Sequence, residues 1–288
     1  MQIIKLLKLT FSSFIEDEAL TRGAAIAFYT VTTIAPLLLI VIAIAGLIFG
    51  RDAAQNAIVG QLGGLMGTQT ADFIQSLLSN VSSKSSGILS SLIGLFTLLV
   101  TATGVFGEMQ TTLNIIWKTE TKVATMSRLM RARAASLGLV VILGFLLIVS
   151  LVVSAGLVAF GTYLQARLPI GALVITGLNM IISYLLIAVL FGAIFKVLPD
   201  RHLTWNDVLI GALASSALFT VGKFLISLYL GTSGIASAYG AAGALILLLL
   251  WIYYSVQIFL LGAEFTKAYA SVHGSFKHGG VQDKTVVV

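Results

Sequence analysis

Few side chains here could do chemistry inside an apolar medium. They are Glu108, Gln110, Asn114, Lys223 and Glu264, with Arg22 at the mouth of a long apolar run. An ionisable group within a membrane span costs about 2.5–3.5 kcal/mol on insertion scales, which makes each a candidate for binding or passing a polar group. Glu108 stands nine residues before Trp117. That is about 14 Å along a helix, too deep for a short side chain to reach water easily. Gln110 and Asn114, four apart, would extend a polar path, and Thr101, Thr111 and Thr112 add hydroxyls. The structural alternative is that Glu108 ties helices together by a hydrogen bond or ion pair. Lys223, about 27 Å along its helix from Trp205, would either snorkel outward or attract an anionic group such as a lipid phosphate. Glu264 is three residues before Lys267, the spacing of an interfacial pair, and Arg22 is a partner for either glutamate or for headgroups. Pro36 removes a helical hydrogen bond and is the hinge candidate, its alternative being a static bend satisfied by Thr32 and Thr33.

The elements that must carry these residues are long and apolar. Hydrophobic residues make up 58% of the 288, charged residues 10%, and mean hydropathy is +1.04. A water-soluble core could not hide so much apolar surface. A span needs about 20 apolar residues, and six stretches qualify: Ala24 to Phe49, Gly87 to Trp117, Ala134 to Tyr163, Gly171 to Leu198, Trp205 to Leu230 and Gly240 to Tyr269. Their unbroken Leu, Ile and Ala runs suit helices, whose amides bond internally in lipid, rather than alternating barrel strands. The fold class expected is all-α, a polytopic membrane protein. Gly104 with Gly107, Gly211 with Ser215, and Gly240 with Gly243 offer faces for close helix packing.

Lys and Arg fall on alternate sides of these spans. Thirteen lie on the side of both termini, three (Arg51, Lys84 and Arg167) on the other, and Lys223 within a span. Cytoplasmic loops retain basic residues, so both termini are expected in the cytoplasm. The net charge of +6 is then explained by anionic lipid headgroups, above all at the loop Lys118 to Arg133, and no nucleic-acid partner is required. Without cysteine there are no disulfides or thiolate sites, and His202, His273 and His278 lack metal-ligand spacing. No metal, cofactor or catalytic residue is expected, and no phosphate-binding loop or nucleophile elbow is visible. The chain therefore reads as a non-enzyme.

Three segments flank or interrupt the spans. Residues 1–23 place Ile3, Leu7, Phe11 and Phe14 at helical spacing with Lys5 and Lys8 offset, a helix lying in the cytoplasmic interface or packed beneath the first span. Residues 51–86 hold two short amphipathic stretches, Ile58, Leu62 and Leu65, then Phe73, Leu77 and Val81, separated by Gly63, Gly64 and Gly67. They predict an exterior helical cap, with a re-entrant turn as the alternative. The membrane bundle covers 24–270, and 271–288 form a polar tail.

The stretch Gly23-Ala-Ala-Ile-Ala-Phe-Tyr-Thr-Val-Thr-Thr-Ile-Ala-Pro-Leu-Leu-Leu39 resembles the opening signature of the YihY/virulence factor BrkB membrane proteins. Leu198-Pro-Asp200 before Trp205, Tyr239-Gly-Ala-Ala-Gly-Ala244, Trp251-Ile-Tyr-Tyr-Ser255 and Gly262-Ala-Glu-Phe265 resemble its carboxyl half. The resemblance implies a six-span bacterial inner-membrane protein of a group historically mislabelled ribonuclease BN. It implies no agreed activity. Function is accordingly expected in one of two classes. One is a transporter or flippase-like protein for a lipidic, amphipathic or ionic substrate. The other is a scaffold or regulator that binds envelope machinery, as a homo-oligomer or with an envelope-protein partner.

Overall fold

The computed structural model describes residues 2–84, 104–119, 171–201, 203–232 and 242–274, with isolated positions between 145 and 161 and residue 239. Every regular element among them is a helix. In chain order these are α1 (Gln2–Glu16), α2 (Ala19–Phe49), α3 (Arg51–Met66), α4 (Thr68–Lys84), α5 (104–116), α6 (Gly171–Val197), α7 (Trp205–Thr232) and α8 (Gly243–Val272). Three are long and apolar enough to cross a membrane, over Val174–Val197, Trp205–Tyr229 and Gly243–Val272. The spans expected at 87–117 and 134–163, the loop beyond Lys118 and most of the tail lie largely outside the described residues.

The amino-terminal segment divides earlier than its hydropathy suggests. Glu18 adopts a left-handed conformation, φ 53°, which ends α1 and starts α2 at Ala19, within the segment expected to precede the first span. The expected stripe on α1 also splits. Phe14 packs inward beside buried Leu6 and Thr10, whereas Leu7 and Phe11 join Ile4 and Ile15 on the exposed face, with Lys5 and Lys8. A helix packed on one side against α8 has only its other side left for the surroundings. Pro36 does not end α2, which continues to Phe49, and the Thr32 and Thr33 hydroxyls donate to the Tyr29 carbonyl.

The segment expected as a cap is a helical hairpin. Gly50 (φ 83°) turns the chain sharply from α2 into α3, and Gly67 (φ 90°) turns it into α4. These left-handed conformations suit glycine because an L side chain would clash. Gly63 and Gly64 remain helical, and Gly63 brings α4 close enough that an added Cβ would stand 3.3 Å from that of Ala71. The inward face of α4 is Thr70, Ala71, Ile74 and Leu78, one position round from the expected Phe73 and Leu77. The hairpin shares a core with Leu38, Val41 and Ile42 of α2 and Leu247, Leu248, Trp251 and Ile252 of α8. Its other face, with Asp72, Gln75 and Ser76, is exposed.

A second core joins α2, α5, α6, α7 and α8 around Trp117, Phe191, Phe195 and Phe259. The Phe195 and Phe259 rings stack at 5.4 Å between centroids. Helices α7 and α8 meet through a reciprocal exchange of small residues. A Cβ on Gly211 would lie 2.0 Å from Thr266 Oγ1, and one on Gly262 would lie 2.0 Å from Ser215 Oγ. Each hydroxyl donates to the carbonyl four residues earlier on its own helix, Ser215 to Gly211 and Thr266 to Gly262, both at 2.7 Å. The expected close-packing face at Gly211 and Ser215 is thus present, with its partner on α8. On the outer side, Leu178, Ile181, Leu185 and Val189 of α6 and Val221, Phe224, Leu225 and Leu228 of α7 are exposed apolar surface, the arrangement a lipid solvent permits.

Candidate functional site

The polar residues of the bundle gather where α5 ends. That helix closes in a Schellman arrangement, with Thr119 N–H bonded to the Asn114 carbonyl (2.9 Å) and Lys118 N–H to that of Ile115 (3.0 Å). Lys118 occupies the left-handed position that glycine usually fills, with φ 47°. A side chain is thereby retained at a sterically costly place. Its amine reaches the elbow between α1 and α2 and contacts Asp17 Oδ1 at 2.6 Å.

Asp17 is the centre of the first cluster. Its Oδ2 accepts from Lys267 Nζ at 3.0 Å, and the same ammonium donates to Glu264 Oε2 at 3.2 Å. Arg22 Nε donates to the Asp17 backbone carbonyl at 3.0 Å and fixes the elbow. Among the described residues Arg22 contacts neither Glu108 nor Glu264, the left-handed turn at Glu18 placing the Asp17 carbonyl within its reach. Glu264 is fully buried, and its Oε1 has no hydrogen-bond partner among the described residues. Four residues from four points in the chain, on three separate segments, thus meet at one end of the bundle.

Burial pushes the Asp17 carboxyl up, but hydrogen bonds from Lys118 and Lys267 outweigh it, so Asp17 lies below the usual 3.8. The hydrogen bond to Asp17 holds Lys118 above the usual 10.5. A depressed carboxyl contributes stability that is fully present above 3.8 and disappears as pH falls through its folded value. For Lys118 the contribution is present below 10.5 and is lost as pH rises through its folded value. Wild type is accordingly expected to exceed Asp17→Asn in stability at neutral pH, and the difference should shrink below pH 3.8. Thermal unfolding in detergent across pH checks this. A pH-independent difference would remove the Asp17 charge from the account.

The second cluster lies on the other side of the same turn. Asn114 Nδ2 donates to Asp200 Oδ2 at 2.8 Å, and Asp200 N–H donates back to Asn114 Oδ1 at 2.9 Å. Gln110 Nε2 reaches Asp200 Oδ1 at 3.1 Å, and Arg201 Nη1 donates to the Trp117 carbonyl at 2.7 Å. Gln110 and Asn114 therefore hold the connection between α6 and α7. Asn114→Leu removes a donor from a carboxylate and an acceptor from a backbone N–H, and should cost about 1–3 kcal/mol. Faster amide exchange confined first to residues 198–204 is the expected signature; protection unchanged there would show the clasp to be dispensable.

Along α8, Tyr253 Oη (3.4 Å) and Gln257 Nε2 (3.3 Å) both donate to the Leu20 carbonyl of α2. Gly23 makes room for this, since a Cβ there would stand 2.1 Å from Gln257 Nε2. Gln257 Oε1, like Glu264 Oε1, is buried without a hydrogen-bond partner among the described residues. The expected pair of Glu264 with Lys267 is present. Glu108 and Lys223 are half-buried, and among the described residues neither makes a hydrogen bond or ion pair. Asp17 and Asp200 were not among the expected site residues. The signal for Asp17 was an acid in the break between an amphipathic helix and a span; for Asp200 it was its place beside Pro199 in a short interhelical turn. No group of three or more potential metal ligands occurs among the described residues.

A family model described as virulence factor BrkB matches residues 10–284. A UPF0761 membrane protein of Rhodospirillum centenum is 28% identical over 259 residues, covering 88% of this chain and 54% of its own length. One from Ralstonia nicotianae is 28% identical over 251 residues, covering 86% and 55%. A third, from Yersinia pestis, is 30% identical over 202 residues, covering 68% and 64%. The chain thus spans about half the length of the first two of these curated relatives. No solved structure matches.

Proposed function

The chain belongs to the virulence factor BrkB family of membrane proteins, and from that premise we propose a bacterial inner-membrane transporter or flippase-like protein for a lipidic, amphipathic or ionic substrate. In this reading six spans cross the membrane, both termini are cytoplasmic, and α1 lies in the interface with its exposed Ile4, Leu7, Phe11 and Ile15 among acyl chains and Lys5 and Lys8 near anionic headgroups. The observation that carries the reading is the Asp17, Lys118, Glu264 and Lys267 cluster at one end of the bundle, which on this reading is a closure at the cytoplasmic end. A strut gains nothing from burying a carboxylate with one oxygen unpaired, at a cost of about 1–3 kcal/mol. A closure that must open has reason to hold its charges incompletely satisfied. Glu108 and Lys223 are the groups left to line a route once the closure parts. No enzymatic step is assigned.

The test is reconstitution into vesicles containing fluorescent phospholipid, with leaflet exchange followed by quenching and sodium and proton flux followed in parallel. Movement that falls at least tenfold in Glu108→Gln or Lys223→Met supports the reading. It fails if no lipid or ion moves and both variants retain cellular function. The scaffold reading draws support from Gln110 and Asn114, which are committed to Asp200. On that reading, substitutions in the basic loop or tail should matter more than those within the spans.

A further inference from the structure

We propose that Glu264 is a proton-binding site, the proton residing on its buried carboxyl beside Asp17 and exchanging with water as the elbow between α1 and α2 loosens. Side-chain exposure is 5% for Asp17, 0% for Glu264 and 17% for Lys267, whereas Lys118 is 64% exposed. The buried part of the cluster therefore holds two carboxyls on a single ammonium, Lys267 Nζ, at 3.0 and 3.2 Å. Lys118 contacts Asp17 at 2.6 Å but, among the described residues, makes no hydrogen bond or ion pair with Glu264, and its exposed charge is screened over that longer distance. Glu264 thus has only a share of the Lys267 charge, and a fully buried carboxylate so incompletely paired is costly enough that such groups take up a proton instead. The place for that proton is Glu264 Oε1, the one carboxylate oxygen of Asp17 and Glu264 without a hydrogen-bond partner among the described residues.

The groups facing this site are few. The elbow supplies Asp17, with Arg22 held on its carbonyl and Glu16 and Glu18 exposed at the rim; the end of α5 supplies Lys118; α8 supplies Lys267. On α7, Asp207 is occupied by Thr204 (2.7 Å) and lies against Gly274. On α6, Lys196 stands over the Trp205 ring and donates to the Leu203 carbonyl. With the proton bound, the buried pair is balanced and the elbow is held to α8. When the proton leaves, an uncompensated negative charge remains and water must enter to solvate it. The inference rests on the proposed closure for this consequence only, since occupancy by a proton can be read whether or not any substrate moves.

The experiment is infrared difference spectroscopy on the full chain in lipid, stepped in pH, with and without carboxyl-13C glutamate. A protonated-carboxyl band that titrates, shifts with the label, survives in Glu108→Gln and disappears in folded Glu264→Gln is the expected result. No label-sensitive carboxyl band at any pH overturns the proposal, as does a band that persists in Glu264→Gln. If Glu264→Gln does not fold, the wild-type label shift combined with loss of the band in Glu108→Gln would assign the proton to Glu108 and likewise overturn it. Failed vesicle transport with this band intact would sink the transport reading alone.

Discussion

Lys267→Met is expected to destabilise the protein by about 3–5 kcal/mol, the cost of breaking a buried ion pair by removing one partner. Lys267 is the only ammonium that touches both Asp17 and Glu264 among the described residues. Methionine fills most of the volume but leaves the buried Asp17 carboxylate with the exposed Lys118 alone and takes away the ammonium that donates to Glu264. Because α1 and α2 reach α8 here through Asp17, the loss should appear first as detachment of the amino-terminal helix. Proteolysis near residues 16–19 should accelerate before the bundle melts. Lys267→Met combined with Asp17→Asn should regain most of the deficit, since the buried charge that Lys267 balances is gone. A single variant within about 0.5 kcal/mol of wild type, the range of an ordinary surface substitution, would show that the cluster is not a clasp.

The second large effect is expected at the crossing of α7 and α8. In Gly262→Ala the new methyl would overlap the Ser215 side chain, whose Cβ lies only 2.7 Å from the ideal position. Rotating the hydroxyl away does not help, because the Cβ itself is in the way, so the helices must separate. Overpacking of this kind costs about 1–3 kcal/mol. Ser215→Gly introduced with Gly262→Ala transfers the missing volume from one helix to the other and should recover much of the loss. Thermal unfolding in detergent of the two single variants and the double variant forms a cycle with a coupling energy. If the effects merely add, the proximity of these residues does not govern stability.

The helices follow from apolar runs and the turns from glycine. The long segments at 171–197, 205–232 and 243–272 were expected almost to their ends, and Gly67 divides the hairpin as expected. The Glu264 and Lys267 pair was legible because its members stand three positions apart and it needs no knowledge of the fold. The rest of the cluster was not. Asp17 meets partners 101 and 250 positions away, and Asp200 meets Asn114 at 86, separations that no local periodicity encodes. Gln110 and Asn114 read as a polar path because depth along a helix is visible in sequence, whereas the turn that arrives beside them is not. The face of α4 slipped by one position for a related reason: Phe73 and Leu77 are as apolar as Ile74 and Leu78, and only the neighbouring helices choose between them.

The distance along the chain between Asp17 and Lys267 also has a meaning in time. The 250 residues between them emerge from the ribosome over roughly 10–50 s at about 5–20 residues per second. Of its two ammonium partners among the described residues, the Asp17 carboxylate can meet only Lys118 in that interval, and only after about 101 residues have followed it. The elbow is thus open while the intervening helices are inserted, and it shuts when α8 arrives. The same long separation means that an incompletely made chain carries the Asp17 acid without the Lys267 ammonium that faces it in the finished fold.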